Sequence, residues 1–272
     1  LDFRGGNMPS NSIGFDRAAD YYDETRGFPP GQEAAIALLF CRAGALTPAS
    51  RVLEVGIGTG RIALPLVSHV QALFGVDVAR PMLDRLCTKR AGEPVYVAQG
   101  DATRLAFLSR AFDAVVCVHV LHLISDWQGA LDEVARVLRP GGRLLIGWND
   151  GTRRDTDETL LWKAWEEALG ASATATVGIP WRQLGASLTE RGWRPLGETR
   201  THHYTIMRTL QTFLDRLERR VWSRTWRLSD QEFARGLAAV RDAVLQQHID
   251  LQERHTVEAA FHVQAFVPPA KG

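Results

Sequence analysis

Cysteine is scarce: Cys41, Cys87 and Cys117 are the only three in 272 residues. Few, far apart and odd in number, they exclude a disulfide framework and a zinc site and suit a reducing compartment, so a cytoplasmic protein is expected. Charge of one sign is lacking too, with 32 Lys and Arg against 31 Asp and Glu. No basic field is therefore available to attract a polyanion, and nucleic acid is not an expected partner. No apolar window reaches the ~18 residues that read as a membrane span, and the N-terminus lacks the basic-then-apolar pattern of a secretory leader. A soluble chain without a membrane partner is the expectation. Internal repeats, low-complexity stretches and clustered metal ligands are missing as well, so no metal site is expected. The chain opens at Leu1 and Met8 reads as the natural start, so residues 1–7 are set aside from the fold.

What is present is concentrated in Arg51-Val-Leu-Glu-Val-Gly-Ile-Gly-Thr-Gly-Arg61. The apolar run reads as a buried strand, and Gly56, Gly58 and Gly60 as a tight turn with positive φ that lets backbone approach a ligand. Arg61–His69 has helical spacing, which would aim its first amides over the turn. Upstream, Phe15–Pro30 reads as a short helix packed by Tyr21 and Tyr22 and stopped by Pro-Pro-Gly. Gln32–Cys41 reads as a helix covering the sheet.

Downstream, strands at Gln71–Val76, Val95–Ala98, Phe112–Val118 and Gly142–Trp148 alternate with helices at Pro81–Arg90 and Trp127–Leu138. This alternation predicts an α/β fold, a doubly wound, mostly parallel sheet whose strand C-termini and loops share one edge. Glu54, the glycine turn, Asp77, Asp101 and Cys117–His122 fall on that edge. Past Asn149 the pattern becomes helical at Thr156–Leu169, Pro180–Arg191, Leu210–Trp222 and Ser229–Gln247. Strands at about 195–207 and 256–267 complete seven, with the C-terminal strand antiparallel. The expected organisation is an N-terminal tail and lid over 1–30, a cofactor-binding core over 31–150, and a helical cap and substrate region over 151–272 that carries the last two core strands.

The glycine spacing departs from the dinucleotide fingerprint, whose third glycine would fall on Arg61. Preceded by Glu54, it resembles motif I of the class I S-adenosylmethionine-dependent methyltransferases, which have a Rossmann-like fold. Three later segments resemble that family's motifs in order: Val76-Asp77 to Met82, Gly100-Asp101-Ala102, and Phe112 to His122. Leu138-Arg-Pro-Gly-Gly-Arg-Leu-Leu145 resembles its turn into the fifth strand. The Tyr-Asp-x-x-Arg character of Phe15–Pro30 resembles the branch of ubiquinone/menaquinone-biosynthesis-type and other small-molecule methyltransferases.

The resemblance implies S-adenosylmethionine as cofactor. Asp77 would take the ribose diol, Asp101 with Ala102 the adenine, and the three glycines the methionine portion. Cys117 in the fourth strand joins the cofactor set, although burial and the lack of basic neighbours suit a structural thiol. Glu54 would pair with the ammonium or sulfonium, orient a loop amide, or serve structure. Arg26 would pair with the cofactor carboxylate or remain a solvated charge, and Tyr21 would close over the cofactor. His119 and His122 are the candidate general bases for an acceptor that needs one. Tyr22 and Trp148 are the candidate substrate contacts; the other tryptophans of the cap read mainly as core.

No Asn/Asp-Pro-Pro-aromatic run and no Pro-Cys nucleophile follow the fourth strand, which leaves a small organic acceptor, methylated at O, N or C by in-line displacement. The competing expectations are a nicotinamide-dependent oxidoreductase and a non-catalytic S-adenosylmethionine-binding protein.

Overall fold

In the computed structural model residues 12–150 and 156–269 are described; the expectations for residues 1–7 and Met8 lie outside them. The helices are α1 (Tyr22–Arg26), α2 (Glu33–Gly44), α3 (Ala63–Leu66), α4 (Arg80–Lys89), α5 (Trp127–Val137), α6 (Thr156–Leu169), α7 (Trp181–Glu190), α8 (Leu210–Glu218) and α9 (Asp230–Gln246). The strands are β1 (Arg51–Val55), β2 (Ala72–Asp77), β3 (Val95–Gln99), β4 (Phe112–Val118), β5 (Leu138–Asp150), β6 (Arg194–Thr209) and β7 (Arg254–Val267). They form one seven-stranded sheet in the order β3-β2-β1-β4-β5-β7-β6.

β1 pairs in parallel with both β2 and β4, and β2–β3 and β4–β5 are parallel as well. Thr199 opposite Gln264 and Thr201 opposite His262 show β6 and β7 running antiparallel, since one index rises as the other falls. The chain thus has the expected mostly parallel sheet with antiparallel C-terminal strands. Because the central strands are covered on both faces, they read as continuous apolar runs. Val52, Leu53, Val115 and Leu144 are fully buried.

Two compact units emerge. The first comprises the chain up to Asn149, Val177–His202 and the residues from Phe261 on; the second comprises Asp150–Thr176 and His203–Ala260. In the first, Leu53, Val115, Leu131, Val134 and Trp193 belong to one core. In the second, Leu161, Trp165, Phe213, Leu217 and Val240 form another. Gly236 on α9 admits Trp165: a Cβ there would stand 2.8 Å from the indole. Ser229 and Glu232 form a capping box that starts α9 where its apolar spacing begins.

Three expected elements are shorter than predicted. The helix expected over Arg61–His69 is a single α-turn, Ala63–Leu66, followed by a 3-10 turn at Val67–His69. Pro65 brings no N–H to it, and Val70 is already extended to enter β2. The N-terminal helix divides into a 3-10 turn at Asp16–Ala18 and the five-residue α1. The stretch Leu210–Trp222 is helical only to Glu218, where Arg219 caps it.

Candidate functional site

The strand order reverses direction between β1 and β4, so the loops after these two strands part there and leave a crevice at the strand C-termini. The crevice is a cleft open to solvent, lined by the ends of β1, β2 and β4, by the loops that follow them and by the N-terminal segment. One wall is the loop after β1. The N–H groups of Gly56 and Ile57 both donate to the Val76 carbonyl, at 2.8 and 3.1 Å, which bends the chain off the end of the sheet. Gly56 has φ 72°, and a Cβ on it would lie 2.6 Å from the Val120 side chain of the loop after β4. Only a glycine lets the two walls come this close. Gly58, with φ 55°, turns its N–H onto Asp77. Gly60 packs against Leu86 and lies outside the cleft lining.

Asp77 ends β2 and reaches into the cleft. Its Oδ2 accepts the Gly58 N–H and its Oδ1 the Ala79 N–H, both at 2.9 Å. Burial pushes its pKa up, against the pull of these amides. A carboxylate offers about four acceptor positions, so two protein amides leave capacity for a ligand's hydroxyls. Asp101 lines the same cleft with Gly100 and Ala102, and its Oδ1 accepts from the N–H and hydroxyl of Thr103, each at 2.8 Å. The segment that carries Asp101 is tied to α5. Glu133 accepts the Leu105 N–H at 2.7 Å, and Arg136 donates to the carbonyls of Leu105 and Phe107, both at 2.8 Å. The Arg136 guanidinium in turn holds Glu133 below the usual carboxylate range.

The N-terminal segment contributes Ser12, Ile13, Phe15 and Tyr22 to the lining. Polar staples attach it to the glycine loop. The Thr59 hydroxyl donates to Asp23 at 2.5 Å, Lys89 reaches the same carboxylate at 2.9 Å, and Arg61 donates to the Arg26 carbonyl at 2.7 Å. Arg61 also lies over the Phe28 ring, 4.7 Å from its centroid. The sequence reading missed Thr59, Asp23 and Arg61, because no local pattern links positions 36 residues apart.

The opposite wall follows β4. His119 has φ 49°, a left-handed backbone rarely taken by non-glycine residues, and faces the cleft. Its Nε2 lies 3.0 Å from Oδ1 of Asn149, the side chain next to the end of β5. Burial, and secondly the positive charge of Arg61, push the His119 pKa down to about 3. The imidazole is therefore neutral at working pH.

Not every predicted residue meets there. His122 and Cys117 line a smaller cavity behind His119, with Ile179, Trp181 and Leu184. Burial raises the Cys117 pKa far above the thiol range, so it holds no thiolate. Trp148 lies outside both linings, its ring 5.1 Å from those of Trp181 and His262. Tyr21 and Arg26 flank the cleft without lining it, whereas Tyr22 lines it. Glu54 is buried beneath the glycine loop; among the described residues its Oε2 has no hydrogen-bond partner. Burial raises its pKa well above the carboxylate range, with Arg61 and the Ala63 N–H opposing.

Residues 53–146 match the family model described as a methyltransferase domain. The uncharacterized methyltransferase YcgJ of Bacillus subtilis is 32% identical over 142 residues, which cover 50% of this chain and 54% of that protein. Its solved structure superimposes with a TM-score of 0.54 at 20% identity, covering 87% of this chain and 99% of that one. A demethylmenaquinone methyltransferase of Tropheryma whipplei (strain Twist) is 33% identical over 138 residues, 48% of this chain and 56% of that protein. The chain thus spans about half the length of these curated relatives. An N-methyltransferase 2 of Haemonchus contortus, solved with phosphomonomethylethanolamine and S-adenosylhomocysteine, shares the fold. There the TM-score is 0.51 at 19% identity, with 94% of this chain and 58% of that one covered.

Proposed function

We propose that this chain is a class I S-adenosylmethionine-dependent methyltransferase that transfers a methyl group to a small organic acceptor, a reading supported by the methyltransferase-domain match over residues 53–146. The observation that carries this is the joint placement of Gly58 and Asp77: the glycine loop donates an amide to the acid at 2.9 Å, and both face the cleft that Asp101 also lines. The residues fit the cofactor's chemistry. Asp77 keeps two acceptor positions for vicinal hydroxyls, Asp101 keeps Oδ2 for an amino group, and the loop offers backbone a side chain would block.

When bound, S-adenosylmethionine supplies an electrophilic methyl group that carries its own sulfide leaving group. The tasks left to the protein are alignment and exclusion of water. Gly56, Gly58 and Asp77 would hold the donor end. Phe15, Tyr22 and Ile13 close the apolar side of the cleft, and neutral His119 stands on the β4 wall as a proton acceptor for the incoming nucleophile. The demethylmenaquinone relative favours an uncharged aromatic acceptor among small organic ones. The absence of any Lys or Arg from the cleft lining among the described residues argues against an anionic acceptor.

Calorimetry with S-adenosylhomocysteine tests the reading, with Asp77→Ala as the weakened control. A thermal-shift comparison with NADH separates it from a nicotinamide-dependent oxidoreductase, for which the glycine spacing is wrong. Transfer of tritium from labelled S-adenosylmethionine to an extract metabolite separates an enzyme from a protein that only binds the cofactor. No binding of S-adenosylhomocysteine at millimolar concentration ends the proposal.

A further inference from the structure

Between Gly56 and Gly60 the glycine loop carries two side chains, Ile57 and Thr59, and they are held in different ways. Ile57 is buried over β2: a Cβ on Gly75 would stand 2.1 Å from its Cδ1, so the isoleucine fills the space that this glycine leaves in the strand. Thr59 is buried as well, between Gly58 at φ 55° and Gly60 at φ 81°. Its hydroxyl donates to Oδ1 of Asp23 on α1 at 2.5 Å, across 36 residues of chain. The Lys89 ammonium on α4 reaches both oxygens of the same carboxylate at 2.9 Å. Glycines on either side of Thr59 leave the backbone there permissive. The Thr59 side chain is what holds this half of the turn, and its partner comes from the N-terminal segment.

That segment stands on both walls of the cleft. At its start the Ile13 N–H donates to the Leu123 carbonyl at 3.0 Å, and the Ser12 hydroxyl accepts the Ser125 N–H at 3.2 Å, both beyond β4. At its end Asp23 meets Thr59, and the Arg26 carbonyl accepts from Arg61 at 2.7 Å, beyond β1. Between these ends the Phe15 and Tyr22 rings meet edge to face, 6.0 Å apart, pack with Ala79 and Met82, and line the cleft.

We propose that Asp23 is a positioning residue of the cofactor site: through Thr59 it sets the turn that aims the Gly58 N–H at Asp77, and so couples docking of Ser12–Arg26 across the cleft to cofactor binding. The inference rests on the methyl-transfer reading and deepens it. The Asp23–Lys89 ion pair alone would not carry the coupling, because its side chains are 46% and 34% exposed and such pairs contribute little. Thr59 gives Asp23 its leverage. When Asp23 withdraws, a buried hydroxyl loses its partner or draws in water, and either outcome loosens the turn on which the Gly58–Asp77 hydrogen bond depends. The coupling is reciprocal: a segment that tightens the site when docked is itself held more tightly when the cofactor is bound, by the same factor.

The test combines calorimetry with S-adenosylhomocysteine and hydrogen exchange of the full chain, free and bound. In wild type, S-adenosylhomocysteine should slow exchange across residues 13–27, where the amides of Ile13, Tyr21, Thr25 and Gly27 are hydrogen-bonded. Asp23→Ala and Thr59→Val should each weaken binding roughly tenfold, about 1.4 kcal/mol, and the double variant no further than the more damaging single one. Thr59→Ser, which keeps the hydroxyl, should bind within about threefold of wild type. In Asp23→Ala the protection that the ligand gives residues 13–27 should fall by about the same tenfold. Arg85→Ala breaks the exposed Arg85–Asp20 pair on the same segment and should change neither affinity nor protection. An Asp23 that served the fold alone would lower the Tm of free and bound protein alike and leave the ligand's protection intact. Affinity of Asp23→Ala within about threefold of wild type, additive losses in the double variant, or equal ligand protection in Asp23→Ala and wild type overturns the inference. If Thr59→Val does not fold, Asp23→Ala decides alone by affinity and exchange. Failure of wild type to bind S-adenosylhomocysteine strikes the methyl-transfer reading instead. Asp23 is then tested in the free protein, where Asp23→Ala should speed exchange of residues 13–27 and unchanged exchange overturns its role.

Discussion

On the β1–β2–β3 side of the sheet edge, acids are held chiefly by main-chain amides: Asp77 by those of Gly58 and Ala79, Asp101 by that of Thr103 with help from the Thr103 hydroxyl. On the β4–β5 side, His119 meets Asn149 across neighbouring strands, and Trp148 stacks with His262. The first arrangement is tied to backbone shape, its longest reach being the 19 residues between Gly58 and Asp77. The second depends on side chains brought together by strand register, 30 residues apart for His119 and Asn149. A cofactor shared by many enzymes suits the first, since backbone donors and glycine torsions leave little room for variation. An acceptor particular to one enzyme suits the second, where each side chain can change without disturbing the loop.

The largest effect that would sharpen this contrast is expected from Gly56→Val. It places a β-branched side chain at φ 72° and drives Cβ into Val120. The combined strain and clash of about 3 kcal/mol or more should weaken S-adenosylhomocysteine binding roughly a hundredfold in calorimetry. Next comes Asp77→Asn. An amide cannot accept from both Gly58 and Ala79, so a donor is turned against a donor. The expected loss is about 1–3 kcal/mol, roughly fivefold to 150-fold in affinity. Binding unchanged by this variant would mean that the two amides do not hold the loop, and the contrast between the halves would fail.

Two smaller effects concern pH. The Glu54 carboxyl is buried with its folded pKa well above the ordinary 4.5. Its contribution to stability is complete below about pH 4.5 and is lost as pH rises through the folded value. The difference in Tm between Glu54→Gln and wild type should therefore move in the variant's favour from pH 4.5 to pH 8, by about 2–4 °C for each kcal/mol. His119 has the opposite sense. Its folded pKa is about 3 against an ordinary 6.5, so its contribution is complete above pH 6.5 and is lost as pH falls toward 3. The Tm of His119→Gln should fall less steeply than that of wild type between pH 6.5 and pH 4.

The same contrast explains what was legible from sequence. β1, the glycine turn, Asp77 and Asp101 are contiguous or regularly spaced, so residue type and spacing carry them, and the alternation of apolar runs carries the sheet. The single turn of α3 was overestimated because helical spacing continues through Pro65 to His69 while the chain must already extend at Val70 to enter β2. His122 was read as a candidate general base and Cys117 as a cofactor contact because they follow or precede His119 by a few residues. The left-handed turn at His119 and the 3-10 turn at Leu121–Leu123 put them on a separate cavity. Asn149 carries no motif, and only the β4–β5 pairing brings it to His119. The staples from Asp23 and Arg26 to Thr59 and Arg61 escaped notice for the same reason.

The central claim is that the cleft beside Gly58 and Asp77 is a site for S-adenosylmethionine. Titration of the wild-type chain with S-adenosylhomocysteine and, separately, with NADH tests it most directly. The account predicts saturable binding of S-adenosylhomocysteine with a Kd on the order of micromolar, about −8 kcal/mol, weakened by Asp77→Asn, and no comparable binding of NADH. Saturable binding of NADH with none of S-adenosylhomocysteine would contradict it.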